Sequence, residues 1–185
     1  MNPELGAPAP AFALPDPSGH IHSLGDFSAA QGLLVAFICN HCPYVIHVLD
    51  GLVNFAAEYR SRGLATVAIS ANDVVAYPQD GPAHMAALAQ ARNFSFPYLY
   101  DESQETAKAY GAACTPDFLV FDSRRRLAYH GRFDGSRPRS AVPVSGSDLR
   151  RAADAILAGA PAPPGQIASQ GCSLKWKPGN EPDGD

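Results

Sequence analysis

Six apolar residues, Leu33-Leu34-Val35-Ala36-Phe37-Ile38, run straight into Cys39-Asn40-His41-Cys42-Pro43, and a helical pattern begins at once. This junction limits the fold more than any other feature. An unbroken apolar run of this length suits a strand covered on both faces of a parallel sheet. Val45, Val48, Leu49, Leu52, Ala56 and Tyr59 then recur at three- and four-residue spacing and mark one apolar stripe, while His47, Asp50, Asn54 and Glu58 fall on another face. Pro43 sits in the first turn, where its missing N–H costs nothing, and Gly63 closes the helix.

The rest of the chain repeats the alternation. Ala11–Leu14 and His20–Ser23 flank the turn Asp16-Pro17-Ser18-Gly19, a β-hairpin pattern. Leu64–Ser70 reads as a second buried strand, Ala83–Arg92 as a helix and Phe96–Tyr100 as a short strand. Asp101 and Gln104 have capping-box spacing before a helix that Gly111 closes. Phe118–Phe121 and Leu127–Gly131 flank a turn, and Ser147 is placed to cap a last helix, Asp148–Ala158. The order predicts an α/β chain, a three-layer α/β/α sandwich with an N-terminal β-hairpin and a mixed central sheet, parallel with an antiparallel edge. One domain over residues 1–166 is expected, followed by an irregular tail, residues 167–185, free to pack on it.

With 185 residues the chain can bury one sizeable core, and its formal net charge of −4 argues against a nucleic-acid surface. The run Arg124-Arg125-Arg126 is too short for a basic patch and reads as a solvated turn. No run is long enough for a bilayer-spanning helix, and Met1–Leu5 lack the basic and apolar regions of a secretory signal. The expectation is a cytoplasmic protein without membrane or nucleic-acid partners. In that reducing compartment four cysteines point to catalysis or metal binding rather than structural disulfides.

Cys39 and Cys42 carry the chemistry. They stand where a strand gives way to a helix, and a helix N-terminus presents unpaired N–H groups and partial positive charge that favour thiolate over thiol. Two intervening residues let the sulfurs close a small-ring disulfide, which exchanges with another thiol or disulfide. Cys39, first at the junction, is expected to attack and Cys42 to resolve. His41, if protonated, would tune the couple by adding positive charge. A single CxxC supplies two metal ligands where structural zinc takes four, so no metal or other cofactor is expected.

Several segments together resemble one family. Leu5–Leu14 with Asp16 and Gly19 look like the start of peroxiredoxins and of membrane-type thiol–disulfide reductases. Cys39–Val45, Cys114-Thr115-Pro116-Asp117-Phe118, His130–Asp134 and Gly171-Cys172-Ser173-Leu174-Lys175-Trp176-Lys177 together resemble the bacterial peroxiredoxin-like subgroup of the thioredoxin superfamily, the AhpC/TSA type. The resemblance implies a thioredoxin-like fold and a cis Thr115–Pro116 bond facing the cysteines, with the Thr115 backbone free to pair with an extended substrate. One departure matters. If Cys42 takes the peroxidatic place of the Pro-x-x-x-Thr-x-x-Cys motif, Cys39 stands for the threonine, Val35 for the proline, and the distant arginine falls on Pro116. The missing peroxide-activating groups favour dithiol exchange.

The expected function is thiol–disulfide oxidoreduction on protein or small-molecule thiols and disulfides, with Cys39 and Cys42 catalytic and Thr115 and Pro116 facing substrate. Two rivals stand beside it: a thiol peroxidase with Cys42 attacking peroxide, and a metal-binding or thiol-sensing module. Cys114 and Cys172 are accessory thiols or packing residues, the tail being anchored through Trp176 or folded over the site. His47 reads as a solvated helix residue, and His130, Arg132 and Asp134 as a hydrogen-bonded turn.

Overall fold

A computed structural model describes residues 3–182. The apolar run forms β3 (Gly32–Phe37), every residue of which is buried. It lies at the centre of a five-stranded sheet with β4 (Leu64–Ser70), β5 (Tyr98–Tyr100), β7 (Asp117–Phe121) and β8 (Leu127–Gly131), in the order β5-β4-β3-β7-β8. β3, β4 and β5 run parallel; β7 and β8 are antiparallel, so the sheet is mixed as expected. The N-terminal hairpin is β1 (Ala13–Pro15) against β2 (Ile21–Ser23).

Alternate residues of β3 serve two cores. Leu34 and Ala36 pack with the buried stripe of α1 (Pro43–Arg60), with Met85 of α2 (Pro82–Ala91) and with Leu149, Ala152 and Ile156 of α4 (Ser147–Leu157). Leu33, Val35 and Phe37 face the other way, against Ala107 of α3 (Glu105–Ala109), Tyr110 and the hairpin's Phe12 and Leu14. Period-two alternation along one strand thus builds the three layers.

Both expected caps differ. Gln104 is the N-cap of α3 but makes no side-chain cap; it sits at φ 65°, and its amide donates instead to the Ala71 and Lys175 carbonyls. Asp101 reaches past it to accept from the Ala107 N–H. Gly146, at φ 66°, takes the N-cap place before α4, and Ser147 is already helical. The glycine enters a left-handed conformation that would strain serine.

The sequence pattern gave no sign of one further element. β6 (Cys114–Thr115) pairs antiparallel with β9 (Cys172–Ser173), bringing the tail onto the domain. The tail is held beyond β9 by Leu174 and Trp176, which pack on the α3 side of the sheet, and by the Lys175 and Lys177 N–H groups, which donate to Asn72 Oδ1 and Gln104 Oε1. Among the described residues no helix is long and apolar enough to cross a membrane.

Candidate active site

The loop Cys39–Cys42 leaves the carboxyl end of β3 and enters α1, whose N-cap is Cys42. Sites beyond the carboxyl ends of sheet strands are the usual place for chemistry in such folds. All four cysteines are free thiols, and Cys39 and Cys42 are 1% and 0% exposed. The two sulfurs are close enough to shift each other's acidity in opposite directions. Thr115 faces both: its hydroxyl lies 3.4 Å from Cys39 Sγ, and its carbonyl accepts from the Cys42 thiol at 3.1 Å. The Thr115–Pro116 bond is cis.

The donors around the pair are unequal. The neighbouring Cys39 thiol does most to hold Cys42 down, to about 4; burial opposes this, and the nearby Cys172 thiol and the Val45 and Cys172 N–H groups add to it. Val45 lies in the first turn of α1, where backbone N–H groups lack helical partners. Cys39 is pushed the other way, first by the neighbouring Cys42 sulfur, then by burial and by the Asp80 carboxylate; the Thr115 hydroxyl opposes the shift. These opposite shifts favour ionisation at Cys42 over Cys39. Ionising Cys42 gives up its bond to the Thr115 carbonyl, which the other donors offset.

Asp80, fully buried, holds the loop. Its Oδ1 accepts from the Asn40 N–H at 2.8 Å and the His41 N–H at 3.2 Å. Its Oδ2 lies 2.6 Å from His41 Nδ1 and accepts from Asn72 Nδ2 at 2.9 Å. His41 also stacks on Tyr77, with ring centroids 5.3 Å apart and planes 5° from parallel. The imidazole is thus fixed beside a carboxylate, which offsets any positive charge it lends the sulfurs. Asp80 lies in a distant turn, Pro78–Asp80, and nothing in the local sequence marks it as a site residue. Among the described residues, Cys39, His41 and Asp80 place ligand-type atoms within 4.8 Å of one another. That is three donors where structural zinc takes four, and both carboxylate oxygens are engaged by N–H groups or the imidazole.

The strand opposite Thr115 is the chain's own β9, with Cys172 directly across, whereas the family resemblance implied an extended substrate there. Cys172 packs against the core cluster that contains Cys42, and its thiol is pushed up to about 11 by burial and by the Cys42 sulfur. Cys114, on the same ribbon, is pushed up to about 12, chiefly by burial. His47 is half-buried, its Nε2 lying 3.0 Å from Ser136 Oγ, rather than solvated. His130 pairs with Asp117 at 2.9 Å, Arg132 with Asp148 at 2.6 Å, and Asp134 accepts from three backbone N–H groups, the hydrogen-bonded turn expected.

The AhpC/TSA family model matches residues 5–130. A putative peroxiredoxin of Mycobacterium tuberculosis is 29% identical over 107 residues, 58% of this chain; the match spans 63% of that relative's length. The crystal structure of a hypothetical protein from Sinorhizobium meliloti is 46% identical, covers 97% of this chain and 98% of its own, and superposes with a TM-score of 0.95. A thioredoxin-family thiol:disulfide interchange protein of Chlorobium tepidum, 17% identical, covers 85% of this chain and 99% of its own with a TM-score of 0.64, showing a shared thioredoxin fold.

Proposed function

This chain belongs to the AhpC/TSA family of the thioredoxin superfamily, and on that premise we propose that it is a thiol–disulfide oxidoreductase working through Cys39 and Cys42. One observation carries the reading: two reduced sulfurs at a helix N-terminus, both in contact with Thr115, which faces them through a cis Thr115–Pro116 bond.

Cys42 is the attacking thiolate and Cys39 the resolving thiol, the reverse of the order that chain position suggests. Cys42 attacks one sulfur of a disulfide, forming a mixed disulfide and expelling a thiolate. That thiolate takes the Cys39 proton. Cys39 then attacks the Cys42 sulfur, closing the Cys39–Cys42 disulfide and releasing the second thiolate, so two electrons pass to the substrate. A thiol donor resets the pair by the reverse exchange. Thr115 steadies both sulfurs and His41, held by Asp80, flanks Cys39. A small cleft lies beside Pro116, lined by Tyr44, His47, Arg132, Arg137 and Gln170 among others; neither sulfur lines it, so the chain around the buried pair must shift for a reagent to reach them.

Alkylation by iodoacetamide at neutral pH tests the order. Cys39→Ser keeps a fast-reacting thiol at Cys42, while Cys42→Ser leaves Cys39 no faster than free cysteine. Fast alkylation of Cys39 in the second variant overturns the assignment.

A second reading rests on Cys39 standing beside Cys42 in the place of the family's threonine and holding the Cys42 thiol down. Cys42 would attack a hydroperoxide oxygen, giving a sulfenic acid and an alcohol or water, and Cys39 would condense with it to a disulfide and water. A stopped-flow rate with hydrogen peroxide no faster than that of free cysteine removes this reading.

A further inference from the structure

The proposed exchange uses two of four sulfurs, and a third is held against them. β9 lies where an extended polypeptide would add to the Thr115 edge. Thr115 faces Cys172 in register, and the ribbon is continued by the Leu174 N–H donating to the Ala113 carbonyl at 3.0 Å. Cα atoms paired in this way lie about 4.5–5.5 Å apart. The Thr115 carbonyl also receives the Cys42 thiol, so Cys42 and Cys172 meet at one peptide group. The preceding residue explains how the strand comes so close: a Cβ on Gly171 would overlap the Thr115 carbonyl oxygen. On the far side, the buried Leu174 and the Asn72 and Gln104 hydrogen bonds pin the strand. This is a fixed strap that puts a thiol where a substrate's cysteine would sit.

We propose that Cys172 is a third exchange thiol, forming an intrachain Cys42–Cys172 disulfide during turnover. The proposal rests on Cys42 being the attacking thiolate of the dithiol reading. Cys42 attacks a small disulfide such as oxidised glutathione, forming a Cys42–glutathione bond and expelling one glutathione thiolate. That thiolate takes the Cys172 proton. Cys172 then attacks the Cys42 sulfur, forming Cys42–Cys172 and releasing the second glutathione. Cys39 displaces Cys172 from Cys42 to give the Cys39–Cys42 disulfide, with the Cys39 proton passing to Cys172. Because the strap already fills the Thr115 edge, the external partner is a small molecule rather than an extended polypeptide.

The test oxidises Cys39→Ser protein with excess oxidised glutathione and maps disulfides by mass spectrometry after acid quench. The expected product is the intrachain Cys42–Cys172 link, with little persistent Cys42–glutathione adduct. Adding Gly171→Ala, which displaces the strand, should lower the ratio of intrachain link to adduct at least tenfold. A persistent Cys42–glutathione adduct in Cys39→Ser, or an unchanged ratio with Gly171→Ala, overturns the proposal. Should these variants fold poorly, millisecond quenching of the wild-type reaction keeps the test, since the Cys42–Cys172 link must appear before Cys39–Cys42 accumulates. Absence of any Cys39–Cys42 disulfide in the wild type would instead overturn the underlying dithiol reading.

Discussion

Replacing Asp80 with alanine should loosen the cysteine loop more than any other single change outside the sulfurs. The carboxylate engages four partners: the Asn40 and His41 N–H groups, His41 Nδ1 and Asn72 Nδ2, at 2.6 to 3.2 Å. Asn40 and His41 are half-buried and can rehydrate, but Asn72 is nearly sealed, so its amide is left without this partner. Hydrogen bonds to charged groups contribute about 1.5–3 kcal/mol each, and stripping one member from a buried charged cluster costs about 3–5 kcal/mol. For a chain of this size roughly 2–4 °C accompanies each kcal/mol, so Tm should fall by about 6–20 °C. Asp80→Asn keeps one acceptor for the two backbone N–H groups but turns a donor toward Asn72, whose own oxygen is held by the Lys175 N–H. About half the loss is expected there, on the order of 1–3 kcal/mol for a buried donor left unpaired. Thermal unfolding of the reduced protein followed by circular dichroism reads both. An alanine variant melting within 2 °C of wild type would show that Asp80 does not hold the loop.

Two further outcomes follow from the same geometry. Thiolate absorbance at 240 nm should show one thiolate per chain near pH 7, with Cys42→Ser abolishing it, because Cys42 is held near 4 while Cys39 is pushed up. A depressed folded value stabilises the reduced fold in full only above the unfolded thiol's pKa, near 8.5; the contribution should fade as pH falls toward 4, while Cys39 opposes it at alkaline pH, and urea unfolding across pH reads the change. Leu52→Ala, at a wholly buried site on α1, should cost about 2–5 kcal/mol by the same urea measurement and leave the order of cysteine reactivity unchanged.

The site's spine was legible because its parts are local. A strand run, two cysteines, Pro43 and an amphipathic stripe are contiguous, and their spacing alone places the sulfurs at a helix start. Leu34 and Leu33 show why the layers were legible too: adjacent apolar residues on a strand must serve opposite faces. The parts that escaped are long-range. Asp80 looks like an ordinary turn acid until folding seats it under Asn40 and His41. Gln104 has capping-box spacing, yet tertiary acceptors at Ala71 and Lys175 outcompete the local cap. β9 is two residues long and carries no periodicity; Gly171 becomes informative only once Thr115 lies against it.

Dithiol exchange is tested most directly by the equilibrium between Cys39 and Cys42 in glutathione buffers of graded potential. Mass mapping should show two thiols per chain lost together at one midpoint, as a Cys39–Cys42 disulfide that dithiothreitol fully reverses. Both sulfurs remaining reduced through the most oxidising buffer, or Cys39 bonded only to glutathione, would contradict it.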